Sequence, residues 1–405
     1  MLIKVAWRNI WRNKLRSGVV MIAIAVGIWA GIFASSIANG LNKQRMDNVI
    51  YTQTAHIQIH QNGYGDNFEL SKYIPGDAVK EENLESEKRI KAYSKRTLVT
   101  GMVASAASGK GVMIKGVDPE NEKVVSSIGN YMVEGNYFET KKKNPIVLGK
   151  TLAEKLNVRL RSKVILTFQD MDGEIVNAAF RVVGLFKTND IRNDEMSVYL
   201  PQEKLNELLG LDESAYHELA ILLKDGNDLD VVDKRVKSEN PDLLVQSWKE
   251  LIPGLAAANI IVGRMNYLLL LILLAAMSFG IVNTMLMAVL ERVREFGMLM
   301  AVGMNKTKVF LMIMMETVFL MMTATPIGIL LAYTSISYFG KYGMDFTEYS
   351  EGFANVGVKP IIYPFQTADY YPKVVVLVII AAFLAAIYPA LKAIRLNPAE
   401  AIRKI

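Results

Sequence analysis

Four stretches of this chain carry almost no charge: residues 17–42, 265–290, 309–339 and 374–391, broken only by Glu316 in the third. A helix needs about 20 mostly apolar residues to cross a hydrocarbon core about 30 Å thick, and the runs approach or exceed that length. In hydrocarbon every backbone amide must be satisfied within the protein, so long runs rich in Leu, Ile, Val, Ala and Met read as helices rather than barrel strands. The expected fold class is a polytopic α-helical membrane protein with four transmembrane helices. The first run shares a basic start and small residues ("ASSIANG") with cleaved signal sequences. Its apolar part is about twice the roughly 7–15 residues of a signal core, so it is expected to stay as an anchor.

Lysines and arginines beside the spans set the orientation. With the N-terminus inside, the inner pieces hold Lys4, Arg8, Arg12, Lys14, Arg16, Arg292, Arg294, Lys306, Lys308, Lys392, Arg395, Arg403 and Lys404 against the acids Glu291, Glu295 and Glu400. The loop 340–373 has three basic residues and four acids, so the bias is clear. The sequence divides into a cytoplasmic interfacial helix (1–16), transmembrane helix 1 (17–42), a large extracytoplasmic α+β domain (43–264) and transmembrane helix 2 (265–290). A cytoplasmic segment (291–308), transmembrane helix 3 (309–339), a short periplasmic loop (340–373), transmembrane helix 4 (374–391) and a cytoplasmic tail (392–405) follow. The expected location is the inner membrane, multi-pass, with both termini cytoplasmic and the large domain in the periplasm.

Most of the charge lies in the inserted domain and nearly cancels there, so the net charge of +6 comes from the membrane flanks and gives no support to nucleic-acid binding. No cysteine is present, which excludes disulfides, thiol catalysis and Cys-based metal sites.

Within the insertion, "QTAHIQIH" alternates at period two, "MDGE" is a hairpin turn with Asp-Gly supplying positive φ, and "PQEKLNELLG" has helical spacing. His56 and His60 share a strand face, but residues four apart on a strand lie about 13 Å from each other and no third ligand is near, so a metal site is not expected. "GKT" (149–151) has the tail of a phosphate-binding loop without its first glycine; Asn144 stands there. "PIVLGKTLAEKLNV" therefore reads as a strand leading into a surface helix.

The N-terminal "MLIKVAWRNIWRNKLRSG" sets Lys4, Arg8, Arg12 and Arg16 on one stripe, with Ile3, Ala6, Trp7, Ile10, Trp11 and Leu15 opposite. That pattern suits a helix lying in the membrane interface. In "YPALKAIRLNPAEAIRKI", Pro389 is expected to kink or end the fourth span. Asn397, Pro398 and Glu400 suit the start of a short terminal helix.

"AWRNIWRNKLRSG" before the first span, "NTMLMAVLERVREFGMLMAVGMNKTKVFLMIMMET" across the second and third, and "YPALKAIRLNPAEAIR" at the end together resemble the FtsX-like, or MacB-type, ABC transporter permease family. Within it the likeness is strongest to the lipoprotein-releasing permeases of the LolC/LolE kind, to whose exported domain "HIQIHQNGYGD" is similar. The resemblance implies a MacB-like periplasmic core domain with two lobes, one from both flanks of the insertion and one from its middle. It also implies a coupling helix that docks on a separate ATPase. Carried onto this sequence, that helix comprises Glu291, Arg292, Arg294, Glu295, Phe296, Gly297, Leu299, Met300 and Gly303. Charges would set register and an apolar ridge would pack.

The interfacial helix is represented by Trp7, Arg8, Trp11, Arg12 and Arg16, and the intramembrane polar residues are Asn283 and Glu316. An unpaired carboxylate inside a span is costly, so Glu316 is expected to hydrogen-bond a neighbouring helix. The dense methionines of the second and third spans are read as packing.

The expected function is the permease subunit of an ABC transporter, coupling cytoplasmic ATP hydrolysis to motion of the periplasmic domain and releasing lipoproteins for outer-membrane sorting. The alternatives are MacB-type efflux of peptides, antibiotics or toxins, and FtsX-like signalling to cell-wall hydrolases. The chain is expected to be non-catalytic, with no bound cofactor and ATP-Mg held by the partner. Expected partners are two copies of the ATPase, a second permease chain, a lipoprotein substrate with its periplasmic carrier, and membrane lipids; nucleic acid is not among them.

Overall fold

The computed structural model describes residues 2–138, 143–349, 352–353 and 358–395. Its uncharged runs lie inside longer helices. In chain order the helices of this part are α1 (Leu2–Arg12), α2 (Lys14–Val49), α3 (Pro253–Glu291), α4 (Val293–Ala301), α5 (Lys306–Tyr342) and α6 (Tyr370–Ile394), with the runs inside α2, α3, α5 and α6. Of these, α2, α3, α5 and α6 are long and apolar enough to cross a membrane.

The helices overrun the runs because a first charged residue marks where hydrocarbon should end, whereas Lys, Arg, Gln and Met continue a helix readily. Helix α2 passes through the charged "NKQRMDNV" and adds a wide π-helical turn, Ile50–Thr54. Helix α6 does not end at Pro389 but runs on to Ile394, and buried Ala385, Ala386 and Ala390 flank the proline. Loss of one amide bond is tolerated in spans when neighbouring helices support the turn. The expected terminal helix at Asn397, Pro398 and Glu400 lies outside the described residues.

The chain divides into two compact units. The first comprises residues 1–42, 259–345 and 361–405; the second comprises 43–258 and 346–360. The segment expected as one short loop, 340–373, is thus helical at both ends and contributes its middle to the inserted domain.

The membrane unit has one core. Ile24, Ile28 and Ile32 of α2, Leu270 and Leu274 of α3, Met312 and Ala324 of α5, and Val378 and Ala382 of α6 belong to it. Without a hydrophobic force between helices in lipid, close backbone approach carries much of the association. Glycines permit it here. A Cβ at Gly328 would meet the Ala25 carbonyl at 2.7 Å and the Ile28 side chain at 2.9 Å, and one at Gly31 would meet Leu273 at 3.1 Å.

The inserted domain is built on ten strands: β1 (Ile57–Gln61), β2 (Ile90–Ala104), β3 (Gly109–Val117), β4 (Met132–Gly135), β5 (Pro145–Gly149), β6 (Lys163–Gln169), β7 (Ile175–Phe186), β8 (Ser197–Pro201), β9 (Glu218–Leu223) and β10 (Leu243–Ser247). They form one sheet in the order β10-β1-β9-β2-β3-β8-β5-β7-β4, with β6 joining β2 and β7. Two main cores share it. Ile57, Ile59, Leu219, Ile221, Val232 and Val245, from the flanks of the insertion, form one; Val103, Ile114, Leu148, Leu166, Val182 and Val198, from its middle, form the other. The long β2 joins them, pairing Tyr93 with Ile221 near its start and Met102 with Thr167 near its end. This is the two-part construction the resemblance implied. The β6–β7 hairpin turns through Gly173 at φ +82, as "MDGE" required, and "GKT" joins β5 to the helix Lys150–Lys155.

Candidate functional site

The charged island between the second and third spans is a short helix held at both ends. Arg292 leaves helical geometry (φ −103, ψ 14) and separates α3 from α4. At the other end Gly303 adopts φ +100, a conformation that costs glycine little, and Met304 N–H donates to the Leu299 carbonyl at 2.9 Å. The Asn305 side chain then accepts from Thr307 N–H at 3.2 Å and caps α5.

Helix α4 has two apolar stripes, and only one can face inward. Phe296, 1% exposed, and Gly297 are buried in the membrane-unit core, and Met300 packs against it. The outward stripe is Met298, Leu299 and Val302, which are 55%, 36% and 90% exposed, with Arg294 and Gly303 beside it at the surface.

Three of the island's charges, Glu291, Arg292 and Glu295, are engaged within the unit. Arg292 Nη1 donates to both carboxylate oxygens of Glu316 at 3.2 and 3.1 Å, and its Nε donates to Glu295 at 3.0 Å. Arg12 Nη2 donates to the other Glu295 oxygen at 2.5 Å, and Arg16 pairs with Glu291. The guanidinium of Arg292 also sits 5.1 Å from the Phe296 ring centroid. Burial by itself would raise the Glu295 carboxyl, but hydrogen bonds from Arg12 and Arg292 outweigh it and hold the group below the usual carboxylate range. The same Glu295 bond raises the Arg12 guanidinium. The N-terminal helix is therefore fastened to the island by ion pairs, with Asn9, Arg12, Arg16, Glu291, Arg292 and Glu316 lining a polar cavity of about 190 Å³.

These contacts correct two expectations and give a third its partner. The coupling set does not form one outward surface: Arg294, Leu299 and Gly303 face out, Phe296 and Gly297 are core, and Glu291, Arg292 and Glu295 pair within the unit. Glu316 has a hydrogen-bonding partner, as expected, and that partner is Arg292 at the junction of α3 and α4, with Glu316 at 7% exposure. The N-terminal stripe does not continue through Arg16, because α1 stops at Arg12 and Arg16 lies in α2. On α1 the apolar side is divided. Ala6 and Ile10 are buried in the core, Ile3, Trp7 and Trp11 stay exposed, and Trp7 makes an edge contact to Phe319 at 5.8 Å; Arg8 is exposed too. Asn283 lies exposed on α3.

Of the outward residues, Met298 was read from sequence as packing and Val302 was not singled out, although their spacing of four residues was the available signal. Also unforeseen is a buried charge cluster in the inserted domain. Arg96 donates to both oxygens of Glu122 at 2.9 and 2.8 Å, to Glu218 at 2.5 Å and to the Gln53 carbonyl at 2.9 Å. Its members come from four segments distant in sequence, which no local pattern reveals.

The histidines are structural. His56 Nδ1 accepts from Leu223 N–H at 3.2 Å; His217 Nδ1 accepts from Leu98 N–H at 3.2 Å and its other nitrogen meets the Leu70 carbonyl at 3.1 Å. His60 contacts the His217 carbonyl and Gln58. Among the described residues no group of three His, Asp or Glu is placed to hold a metal ion.

Four membrane-length helices, a two-core domain inserted between the first and second, and a fastened helix between the second and third define a multi-pass permease-type subunit. Residues 17–239 match the MacB-like periplasmic core domain and residues 267–398 match the FtsX-like permease C-terminal family. The chain belongs to the FtsX-like, MacB-type family of ABC transporter permeases. It is similar to the lipoprotein-releasing system transmembrane protein LolE of Haemophilus influenzae, at 23% identity over 80% of this chain and 79% of that one. It is also similar to the lipoprotein-releasing system transmembrane protein LolC of Neisseria meningitidis, at 25% identity over 79% of each. A third relative is the macrolide export ATP-binding/permease protein MacB of a Shewanella species, at 24% identity over 58% of this chain and 37% of that one.

Proposed function

We propose that this chain releases lipoproteins from the outer leaflet of an inner membrane for outer-membrane sorting, as one of two permease chains served by a separate ATPase. The observation that carries this reading is the similarity to LolE and LolC along about four fifths of the chain and of each relative; the MacB relative matches over 37% of its own length.

The termini and α4 face the cytoplasm, and the inserted domain faces the periplasm. The ATPase, holding ATP-Mg, docks on the outward stripe of α4, where Met298, Leu299 and Val302 supply apolar contact and Arg294 supplies orientation. Closure of two nucleotide-bound ATPase subunits draws two such helices together, and the spans carry the motion outward largely as a rigid body. Extracting a lipid anchor costs about 0.8 kcal/mol per CH₂ removed from the bilayer, which is why the step needs nucleotide energy. The cargo then passes to a periplasmic carrier. Depletion of the chain should leave outer-membrane lipoproteins in the inner-membrane fraction on density-gradient separation. Normal lipoprotein sorting in depleted cells, together with sensitivity to a macrolide or a cell-division defect, would reject lipoprotein release in favour of efflux or signalling.

A further inference from the structure

Helix α2 closes in the π-helical turn Ile50–Thr54, where Ala55 N–H donates to the Ile50 carbonyl at 2.8 Å. Such turns are rare and are found mostly at functional sites. Ala55 then leaves at φ +57, a backbone that a residue with a Cβ keeps only when its surroundings enforce it. Ile50, Thr52 and Thr54 are buried, and Ile50 belongs to the core formed by the flanks of the insertion.

Gln53, half-buried in this turn, reaches in two directions. Its carbonyl accepts from Arg96 Nη1 at 2.9 Å, and Arg96 is fixed in turn by Glu122 and Glu218. Its side-chain Nε2 donates to Asp190 Oδ2 at 3.0 Å. The other Asp190 oxygen is already engaged: Oδ1 accepts from the Arg192 and Asn193 amides at 2.9 and 3.2 Å and caps the helix Ile191–Met196. That helix is seated on the middle of the insertion. A Cβ at Gly149 of β5 would meet the Asp194 carbonyl at 1.8 Å, and Glu195 pairs with Lys155 at 2.6 Å. Leu148 and Leu152, beside those contacts, belong to the middle core.

The two cores are joined within the sheet by β2, and the Gln53–Asp190 bond is a second connection outside the ladder. Only an amide serves here, because it donates to Asp190, whereas a carboxylate of the same shape would oppose it with like charge. The helix that carries the turn is unbroken from Lys14 to Thr54, so a tilt or rotation of its end displaces Gln53 directly.

We infer that Gln53 is a positioning residue that ties the end of the first span to the middle lobe of the inserted domain, so that movement of α2 sets the angle between the two lobes. The link itself stands on the hydrogen bonds; its use in lipoprotein release rests on the transport reading.

The chain has no native cysteine, so spin labels at Glu203→Cys and Lys234→Cys report the distance between the lobes by double electron–electron resonance. Both positions are exposed, on helices packed on the middle and the flank core respectively. The full chain in nanodiscs should give one narrow distribution. Gln53→Glu should broaden it. Adding Asp190→Asn, which keeps a capping side chain and exchanges donor for acceptor, should restore the narrow distribution. With the ATPase present, Gln53→Glu should lower the lipoprotein released per ATP hydrolysed about tenfold, the shift that accompanies loss of a hydrogen bond to a charged group, while ATP hydrolysis is retained. Gln53→Ala is the second variant if Gln53→Glu fails to elute as a monodisperse species. A distribution unchanged by the substitution at Gln53, or not restored by Asp190→Asn in the Gln53→Glu chain, overturns the joint. So does release that falls only in step with ATP hydrolysis. No ATP-driven release from the unmodified chain would reject the transport reading, and the distance measurement would still decide the link.

Discussion

Arg292→Met keeps the aliphatic stem of the side chain and removes the guanidinium that holds Glu316. The two Nη1 contacts at 3.1 and 3.2 Å, taken at an effective dielectric of about 20, correspond to roughly 5 kcal/mol of attraction. Removing one member of a buried pair typically costs about 3–5 kcal/mol, because the survivor stays desolvated without compensation. The network makes the reverse change milder. In Glu316→Leu, Arg292 still donates to Glu295 and lies against Phe296, so the loss should be about 1.5–3 kcal/mol, the worth of a hydrogen bond to a charged group. Arg292→Met should therefore cost about 2 kcal/mol more than Glu316→Leu, and the double variant should fall near Glu316→Leu alone. Reversible unfolding in bicelles or mixed micelles measures all three. Equal costs for the two single variants, or a loss below about 1 kcal/mol for Arg292→Met, would refute the view that stranded charge governs this site.

The α4 stripes should separate stability from partner binding. Phe296→Ala should destabilise the membrane unit by about 3–5 kcal/mol, read by unfolding. Val302→Asp should leave unfolding unchanged while reducing co-purification with the ATPase, and undiminished co-purification would remove the proposed docking face. In the inserted domain, Arg96→Met strands Glu122 and Glu218 and should cost about 3–5 kcal/mol, seen as rapid proteolysis within residues 57–252 of the full chain. Burial holds the His56 and His217 rings down at about 4, from an ordinary 6.5. Their lowered folded values make the stabilising contribution complete above pH about 6.5 and reduce it as pH falls toward about 4, by roughly 3 kcal/mol per ring. Thermal unfolding of the inserted domain should weaken across that window, and a melting temperature flat from pH 7 to 4.5 would exclude it.

The family was legible in the residues beside the spans, because "AWRNIWRNKLRSG" and "ERVREFGMLMAVGMNKTK" are contiguous motifs. The arrangement of the site was not. "VREFGMLMA" offers two apolar stripes of similar quality, and a one-dimensional pattern cannot say which is buried. The choice falls to Phe296 because the core of the membrane unit receives it, leaving Met298 and Val302 outside. The identity of Glu316's partner was hidden for a similar reason: it lies 24 residues away, and Arg292 reads as an ordinary flanking charge until the helices are folded together.

The sequence by itself determined where hydrocarbon-length helices lie and that a charge-balanced domain separates the first two. The cost of desolvating charge is local and adds along the chain, so its absence over about 20 residues is decisive without any neighbour. Only the tertiary structure decided that α1 is fastened to α4 by Arg12 and Glu295, that Arg292 answers Glu316, that β2 carries both cores of the inserted domain, and that Gln53 reaches Asp190. Those outcomes depend on which faces meet, and the meeting of faces is set by packing between segments far apart in the chain.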